Sequence, residues 1–327
     1  MLSVAVIGAG HWGRNLIRNF YDLGVLAAIC DTNSETFMNL TSNYPEVDFF
    51  EGYENVFDSG IEAVAIATPA ETHGKIARAA LNAGKHVFVE KPICLNLIEA
   101  REIKELAEKE NLILMVGHML RYHSAFDSLT SVLKSGSIGK LRYIYSNRLS
   151  LGKIRREENA LWSFAPHDIS MILALTNKMP FRVSAHGESF LTPGIADTSL
   201  THLDFGDQSQ AHIFVSWLNP YKEHRLVVVG SDGMIVFDDT ANSEEKLLLY
   251  PHQVEWNEGL PSVNKAEAQK ISYSDKEPLK SECEHFIRCV DKGSRPITDA
   301  EEAIRVLRVL DASQRSLVSG QPITIEE

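Results

Sequence analysis

The first ninety residues alternate short apolar runs with stretches whose apolar positions recur at a helical period. Residues 4–7 and 25–30 predict β-strands, and residues 13–23 between them predict an amphipathic helix. Further strands are predicted at 63–67, 86–89 and 112–116, with helices near 73–83 and 97–108. Because strands that alternate with helices form right-handed βαβ units, the pattern predicts an α/β fold with a doubly wound parallel sheet over residues 1–120.

Beyond residue 120 the alternation gives way to consecutive strands. A helix at 124–135, a strand at 141–146 and a helix that begins at Pro166 come first. Strands then follow without helices between them, at 182–189, 199–205, 210–217, 225–229, 234–237 and 247–249. Consecutive strands are typical of antiparallel sheets, so residues 121–327 are predicted to form an α+β domain that binds substrate, completed by helices near 278–291 and 299–319.

The strand predicted at 210–217 has apolar residues on both faces. One face carries Ala211, Ile213, Val215 and Trp217, and the other carries Phe214 beside His212 and Ser216. We therefore expect helices to cover one face of the second sheet and another subunit to cover the other, which predicts a homodimer or homotetramer.

Length and charge narrow the function classes. The 327 residues suit two domains, and 32 Lys plus Arg against 44 Asp plus Glu give a net charge of −12. This field disfavours nucleic acid and anionic membrane surfaces as partners. The four cysteines form no C-x-x-C pair, and neither a signal peptide nor a long apolar span is apparent, so a reduced, cytoplasmic protein is expected.

A glycine motif follows the first predicted strand. Gly8, Gly10 and Gly13 have the G-x-G-x-x-G spacing directly before a helix, and His11 and Trp12 lie within it. Such glycines allow a tight turn and a close approach of main-chain N–H groups to a diphosphate. These five residues are therefore predicted to bind a dinucleotide, in a Rossmann domain.

Asp31 ends the second predicted strand, 18 residues after Gly13. A carboxylate near this spacing binds the ribose hydroxyls of NAD and repels the 2′-phosphate of NADP. Residues 19–74 contain no Lys or Arg to hold that phosphate, so NAD is the predicted cofactor. The alternative is that Asp31 only precedes or caps the next helix.

Two further turns follow the predicted strands at 63–67 and 86–89, at the carboxyl edge where such sheets bind ligands. They contain Thr68 and Pro69 in the first turn and Glu90, Lys91 and Pro92 in the second. All five are predicted to line the cofactor site. The alternative for Lys91 is a solvated lysine at a strand end.

The chain resembles the Gfo/Idh/MocA family of dehydrogenases from its first strand to its last helix. The resemblance rests on Gly8 to Gly13, Asp31, the turns at 67–69 and 90–92, and Phe164-Ala-Pro-His-Asp-Ile-Ser170. Within the family it is most similar to the nucleotide-sugar branch, through residues 151–156, 159–162, 216–222 and 229–233. That branch contains 3-dehydrogenases of UDP-N-acetylglucosamine or its uronic acid, whose 3-keto products commonly go to an aminotransferase.

The resemblance implies that Lys91 is the catalytic lysine and that His167 is the histidine of the second-domain motif. Polyol dehydrogenases of the family have an Asp four residues before this histidine and a Gly between them, whereas this chain has Ser163 and Ala165. The difference argues against an inositol or simple polyol substrate.

Oxidation of a secondary alcohol by NAD needs a base for the hydroxyl proton. We expect Lys91, with its pKa lowered by partial burial, to take that proton and His167 to share it. With Pro166 at the first helical position, His167 would lie in the first turn, where the helix dipole favours a neutral ring. The alternative is that His167 only caps or packs, and Asp168 is expected to stabilise the helix N-terminus.

Candidate substrate contacts include the basic residues Lys153, Arg155 and Arg156, which suit a diphosphate, although an ordinary solvated loop remains the alternative. Further candidates are Arg121, Tyr122, Trp162 and Tyr221, besides Lys91 and His167. Arg121 alternatively pairs with a nearby acid, and the aromatic residues alternatively belong to the core. No metal is expected, because hydride transfer with a lysine base needs none.

Three functions follow in order of preference. The first is NAD-dependent oxidation of the C3 hydroxyl of a UDP-N-acetylhexosamine or its uronic acid. The second is a dehydrogenase or reductase of a free sugar, polyol or sugar phosphate. The third, of another class, is a catalytically silent NAD-binding regulator, which the presence of both Lys91 and His167 disfavours.

Overall fold

The structure is a computed structural model that describes residues 2–326 and divides into two compact units. The first unit contains the chain up to Tyr122 together with Glu277–Leu307, and the second contains His123–Lys276 and the segment from Arg308. Each unit has its own sheet and its own helices.

The helices, in chain order, are α1 (Gly13–Asp22), α2 (Glu35–Leu40), α3 (Tyr53–Asp58), α4 (Ala70–Asn82), α5 (Leu97–Lys109), α6 (Ser124–Lys134), α7 (Ala160–Thr176), α8 (Pro278–Lys292) and α9 (Ala300–Ser319). A short 3₁₀ helix spans Met119–Tyr122. Within residues 2–326, every helix is too short or too polar to traverse a lipid bilayer.

The strands are β1 (Val4–Ile7), β2 (Leu26–Cys30), β3 (Asp48–Phe50), β4 (Ala63–Ile66), β5 (His86–Glu90), β6 (Leu114–Gly117), β7 (Leu141–Leu151), β8 (Arg182–His186), β9 (Thr198–Asp204), β10 (Gln210–Ser216), β11 (Leu218–Gly230), β12 (Met234–Asp238), β13 (Leu247–Tyr250), β14 (Gln253–Asn257), β15 (Leu260–Asn264), β16 (Gln269–Lys270) and β17 (Ile323–Thr324).

The sheet of the first unit is wholly parallel, in the order β3-β2-β1-β4-β5-β6, which confirms the predicted doubly wound sheet. Every residue of β1 and β4 is buried, as expected for strands covered by helices on both faces. The strand order reverses between β1 and β4, and ligands of such sheets bind at the carboxyl ends of the strands at this point.

Helix α8 belongs to the first unit, which differs from the predicted domain boundary at residue 120. Its Phe286 ring packs edge-on against Phe20 of α1 and Phe88 of β5, with ring centroids 6.4 and 5.8 Å apart. Cys283 and Leu279 join the same core. This return of a distant segment depends on tertiary packing, which the local pattern does not encode.

The second unit contains a nine-stranded sheet in the order β16-β13-β12-β11-β7-β10-β9-β8-β17. Its neighbouring strands are antiparallel except for the parallel pair β7 and β10, which confirms the predicted antiparallel character. Helix α7 packs on β7, β9 and β10. On another part of the sheet surface, Tyr143 and Leu200 are 43% and 45% exposed.

Helix α7 begins six residues earlier than predicted, which corrects the placement of Pro166 at the first helical position. The Asn159 side chain caps the helix by accepting a hydrogen bond from the Trp162 N–H at 3.2 Å. Pro166 lies inside the helix, where its ring removes one main-chain hydrogen bond. His167 is therefore in the second turn of α7, and the helix-dipole argument for its ring does not apply.

The Phe286 contact generates a stability prediction. We expect Phe286→Ala to lower the free energy of unfolding by about 3–5 kcal/mol, because it leaves a cavity in the core that α8 shares with α1 and β5. Urea unfolding measures the loss. Phe190→Ala is the matched control, since Phe190 is 66% exposed, and it should change stability by less than about 0.5 kcal/mol. Equal effects would contradict the packing role of Phe286.

Candidate active site

The glycine turn after β1 lies against the end of β4. Gly8 has a φ of +96°, and a Cβ atom there would come within 2.8 Å of the Ala67 carbonyl group. A Cβ at Gly13 would come within 1.8 Å of the Gly8 carbonyl oxygen. At Gly10, by contrast, no atom lies within 4 Å of an added Cβ. The main chain at Gly10 is therefore not covered by neighbouring residues on this side, as a diphosphate-binding turn requires.

The Asp31 carboxylate is fixed beside this turn. One oxygen accepts a hydrogen bond from the Ala9 N–H at 2.7 Å, and the other accepts one from the Asn33 N–H at 2.9 Å. The main chain thus holds a negative charge at the carboxyl end of β2. Glycines, an open turn and this carboxylate fit the adenosine half of a dinucleotide.

A buried histidine that the sequence analysis missed joins the next two turns. His73 of α4 is 1% exposed, and its Nδ1 lies 2.7 Å from the Pro92 carbonyl oxygen, while its Nε2 lies 2.8 Å from that of Thr68. Burial lowers the pKa of His73. The ring therefore spans the turn after β4 and the turn after β5. A polar residue on the inner side of an amphipathic helix was the available signal.

The side chains before Lys91 hold its turn. Glu90 is buried, and its carboxylate accepts hydrogen bonds from the Trp12 indole N–H and, at 3.3 Å, from the Lys91 main-chain N–H. Burial raises the pKa of Glu90. The Lys91–Pro92 peptide bond is cis. Trp12 thus links the glycine turn to the lysine turn through one carboxylate.

In the second unit, the residue after His167 forms a buried ion pair. Asp168 is 0% exposed and accepts hydrogen bonds from Arg148 Nε at 2.6 Å, Arg148 Nη2 at 3.1 Å and Ser146 Oγ at 2.5 Å. The role expected for Asp168 at a helix N-terminus is thereby corrected, because its carboxylate joins α7 to β7. His167 lies on the same helix, and its side chain is partly exposed.

Arg148 is a second residue that the sequence analysis missed. It points to the inner face of β7 with Ile144 and Ser146, and its Nη1 lies 3.5 Å from Nδ1 of His224 on β11. Burial and the Arg148 charge lower the pKa of His224 to about 4. An arginine at an inward position of an alternating strand was the signal for it.

Comparisons with known proteins agree with this geometry. A family profile described as "Oxidoreductase family, NAD-binding Rossmann fold" matches residues 2–118, and the GFO/IDH/MocA C-terminal domain profile matches residues 126–236. The chain belongs to the Gfo/Idh/MocA family of oxidoreductases. It is an NAD-dependent oxidoreductase, and several of its named relatives are dehydrogenases.

Three relatives illustrate the range of this family. The chain is 26% identical over 312 residues to UDP-N-acetylglucosamine 3-dehydrogenase from Acidithiobacillus ferrooxidans, covering 94% of each sequence. The solved structure of that enzyme has a TM-score of 0.85, with 97% and 98% of the two chains covered. The NAD⁺-dependent scyllo-inositol 2-dehydrogenase of Bacillus subtilis is 28% identical over 285 residues, covering 84% and 80%. A candidate oxidoreductase from Magnetospirillum magnetotacticum MS-1 is 31% identical, with 95% and 98% coverage and a TM-score of 0.82.

The basic loop of this family member contains its own acids. Arg155 lies 2.9 Å from Glu158 and 3.8 Å from Glu157, whereas Lys153 and Arg156 are exposed. The loop therefore keeps a small net positive charge, and Arg155 has a carboxylate partner that an incoming diphosphate would have to replace.

Two of the predicted substrate contacts turn inward in their own unit. Tyr122 is buried, and its hydroxyl is 2.9 Å from Thr298 Oγ1, which corrects its assignment as a substrate contact. Arg121 Nη1 lies 3.6 Å from Glu302 Oε1, which agrees with the alternative that Arg121 pairs with a nearby acid.

In the second unit, the Trp162 indole N–H donates a hydrogen bond to Gln314 Oε1 at 3.1 Å, and Tyr221 is 72% exposed. Within residues 2–326, no cluster of three His, Cys, Asp or Glu residues is arranged to hold a metal ion.

The Arg148–Asp168 pair generates the second prediction. Arg148→Met should lower the free energy of unfolding by about 3–5 kcal/mol, because it leaves the Asp168 charge buried and uncompensated. Chemical denaturation measures the loss. The control is Arg182→Met, since Arg182 pairs with Asp204 at 2.9 Å but is 50% exposed, and such pairs contribute about 0–1 kcal/mol. Similar losses in the two variants would show that burial is not the deciding factor.

Proposed function

We propose that the protein oxidises the C3 hydroxyl of a UDP-N-acetylhexosamine, or of its uronic acid, to a 3-keto nucleotide sugar. The observation that carries this proposal is the full-length similarity to UDP-N-acetylglucosamine 3-dehydrogenase, in sequence and in fold. The basic loop with Lys153, Arg155 and Arg156 supports it, because guanidinium groups suit diphosphate oxygens.

The cofactor side of the proposal uses the first unit. Gly8, Gly10, His11, Trp12 and Gly13 would hold the diphosphate, and Asp31 would hold the ribose hydroxyls. Thr68, Pro69, Glu90 and Pro92 would form the two turns next to the nicotinamide. NAD held by these residues would supply the hydride acceptor for the carbinol carbon.

The proton side of the reaction falls to Lys91 and His167. In its neutral form the Lys91 amine would accept the proton that leaves the substrate hydroxyl, and His167 is the candidate acid or base that the second unit contributes. Glu90 holds the main chain of Lys91, and the Arg148–Asp168 pair holds the helix turn of His167. One hydride and one proton leave the alcohol, so the ketone forms without a change in the oxidation state of any side chain.

A second candidate is a dehydrogenase of a free sugar or polyol. The 28% identity to scyllo-inositol 2-dehydrogenase favours it. Ser163 argues against it, because a serine in place of the aspartate four residues before His167 lacks the carboxylate of the polyol enzymes. Trp162 and Tyr221 remain candidate sugar contacts for either substrate.

We further propose that a second copy of the chain covers the open face of the nine-stranded sheet. Tyr143 and Leu200 are exposed there, and the Tyr145 ring stacks on the His212 ring with a centroid distance of 5.4 Å and an interplanar angle of 7°.

The four cysteines are free and buried, which supports a reducing, cytoplasmic location. A 3-keto sugar is a suitable substrate for transamination, so an aminotransferase is the proposed next enzyme.

The substrate assay is the third prediction. The protein mixed with NAD and UDP-N-acetylglucosamine, or its uronic acid, should raise the absorbance of reduced nicotinamide, because the hydride is transferred to the cofactor. Free myo-inositol and scyllo-inositol are the competing substrates. Flat traces with all UDP-sugars and turnover with an inositol would replace the first candidate by the second.

A variant at Lys91 tests its role in this assay, and a variant at Lys75 is the control. Lys91→Met should lower kcat by about 10²–10⁴-fold while leaving NAD affinity measurable, because it removes the proton acceptor. Lys75→Met, at an exposed position on α4, should leave turnover unchanged. A fully active Lys91→Met variant would remove Lys91 from the mechanism.

The fourth prediction concerns Asp31. Asp31→Ala should weaken NAD binding about 10–100-fold, because the hydrogen bonds of a charged group to the ribose are lost, and it should narrow the preference for NAD over NADP. Titration with each cofactor measures both effects. Asp22→Ala, at an exposed residue of α1, is the control. An unchanged NAD to NADP ratio would mean that another group recognises the ribose.

A further inference from the structure

Helix α8 contains a buried carboxyl group that the proposed chemistry does not use. Glu282 is 0% exposed, and neither of its carboxyl oxygens has a hydrogen-bond partner within residues 2–326. A carboxylate in such surroundings loses its hydration without compensation, so the protonated form is favoured. Burial accordingly raises the pKa of Glu282 well above its usual range.

The packing of α8 places Glu282 on the side of the helix that faces β5, the strand that ends at Glu90 directly before Lys91. Phe286, one helical turn after Glu282, packs its ring 5.8 Å from Phe88 of β5. Phe88 and Glu90 lie on the same face of β5, two residues apart. Glu282 therefore lies on the part of α8 that packs against β5, where the negative charge of Glu90 acts on it and raises its pKa further.

The two carboxyl groups differ in their hydrogen-bond donors. Glu90 accepts from the Trp12 indole and from the Lys91 N–H, and a Cβ on Gly117 of the neighbouring strand would come within 3.0 Å of it. Glu282 has no such donors within residues 2–326. When the pair holds one proton, that proton is therefore expected on Glu282 and the charge on Glu90.

The other titratable groups around the pair do not add a competing negative charge near neutral pH. Tyr122, on the 3₁₀ helix, and Cys283, next along α8, both have pKa values raised chiefly by burial. Lys91 and His118 favour the charged form of Glu90. On the α1 side, Arg18 pairs with Glu277 near the surface.

We propose that Glu282 is a positioning residue for Lys91. It keeps the Glu90–Glu282 pair at a single negative charge, and that charge holds the Trp12 indole and the main chain of Lys91 in place. This inference rests on the proposed role of Lys91. Loss of the Glu282 proton gives the pair a second charge, and the resulting repulsion disturbs the turn and the adjoining cofactor site.

The proposal fixes the sign of a pH effect on stability. The folded chain binds the Glu282 proton more tightly than the unfolded chain does, so the stabilisation present at low pH is lost as pH rises above the ordinary glutamate range. Across that window the unfolding equilibrium constant of the wild type should increase by up to about tenfold per pH unit relative to Glu282→Gln. The glutamine keeps the size of the side chain and removes the titration.

The fifth prediction tests protonation directly. Infrared spectra of the wild type at neutral pH should contain the carbonyl band of a protonated carboxylic acid, which Glu282→Gln removes and which fades as pH rises. Glu284→Gln is the matched control on the same helix, where Glu284 is partly exposed and 3.8 Å from Arg288, and it should retain the band. If the wild-type band is absent at neutral pH, or persists in Glu282→Gln, the proposal fails. This measurement needs no turnover.

The positioning role is tested by NAD affinity. As pH rises above the ordinary glutamate range, the Kd of the wild type for NAD should rise about fivefold more than that of Glu282→Gln. A purely structural role would leave the two pH profiles parallel, and that outcome would overturn the proposal. If no UDP-sugar is oxidised but the profiles diverge, the substrate proposal fails while the role of Glu282 in the Lys91 turn is retained.

Discussion

The close approach of main chain to main chain at Gly8 is the constraint on which the first unit depends. The space for a Cβ atom at Gly8 is already filled by the Ala67 carbonyl group, so the glycine turn and the end of β4 form one packed layer. His73 continues this layer, because its ring joins the Thr68 carbonyl to that of Pro92. Trp12 completes these contacts, because its indole N–H donates a hydrogen bond to the Glu90 carboxylate. The glycine turn, proposed to bind the diphosphate, and the turn that carries Lys91 are thus held by one continuous set of contacts.

Much of the first unit could be predicted because its information is local. The glycine spacing, the position of Asp31 at a strand end and the alternation of strands and helices are each read from fewer than about thirty neighbouring residues. The predicted start of α7 at Pro166 is wrong, because a proline is a strong local signal for a helix start. The helix instead begins after Asn159, which is its N-cap. The environments of Arg155 and Tyr122 could not be predicted in this way. They depend on contacts of the two side chains with Glu158 and Thr298, and no regular hydrophobic pattern indicates those contacts.

The residues that were missed share a different property. His73, Arg148 and Glu282 are polar side chains at inward positions of regular elements, and each is buried. Such a residue is unfavourable unless a partner compensates its burial, and Pro92 and Asp168, partners of His73 and Arg148, lie 19 and 20 residues away in the sequence. The partners of His73 and Arg148 are main-chain carbonyls and a carboxylate, and only the fold brings them together. A buried polar residue is visible in the sequence, but the identity of its partner is not.

The buried carboxyl groups also narrow the choice of base. Asp168 already accepts three hydrogen bonds from Arg148 and Ser146, so its carboxylate oxygens are occupied by protein donors. Glu90 is held by Trp12 and by the Lys91 main chain. Glu282 is enclosed and favours its protonated form. Each carboxyl next to a proposed catalytic residue is thus committed to holding the main chain or a neighbouring charge. This leaves the nitrogen bases Lys91 and His167 as the groups to which we propose to assign proton transfer at the substrate hydroxyl.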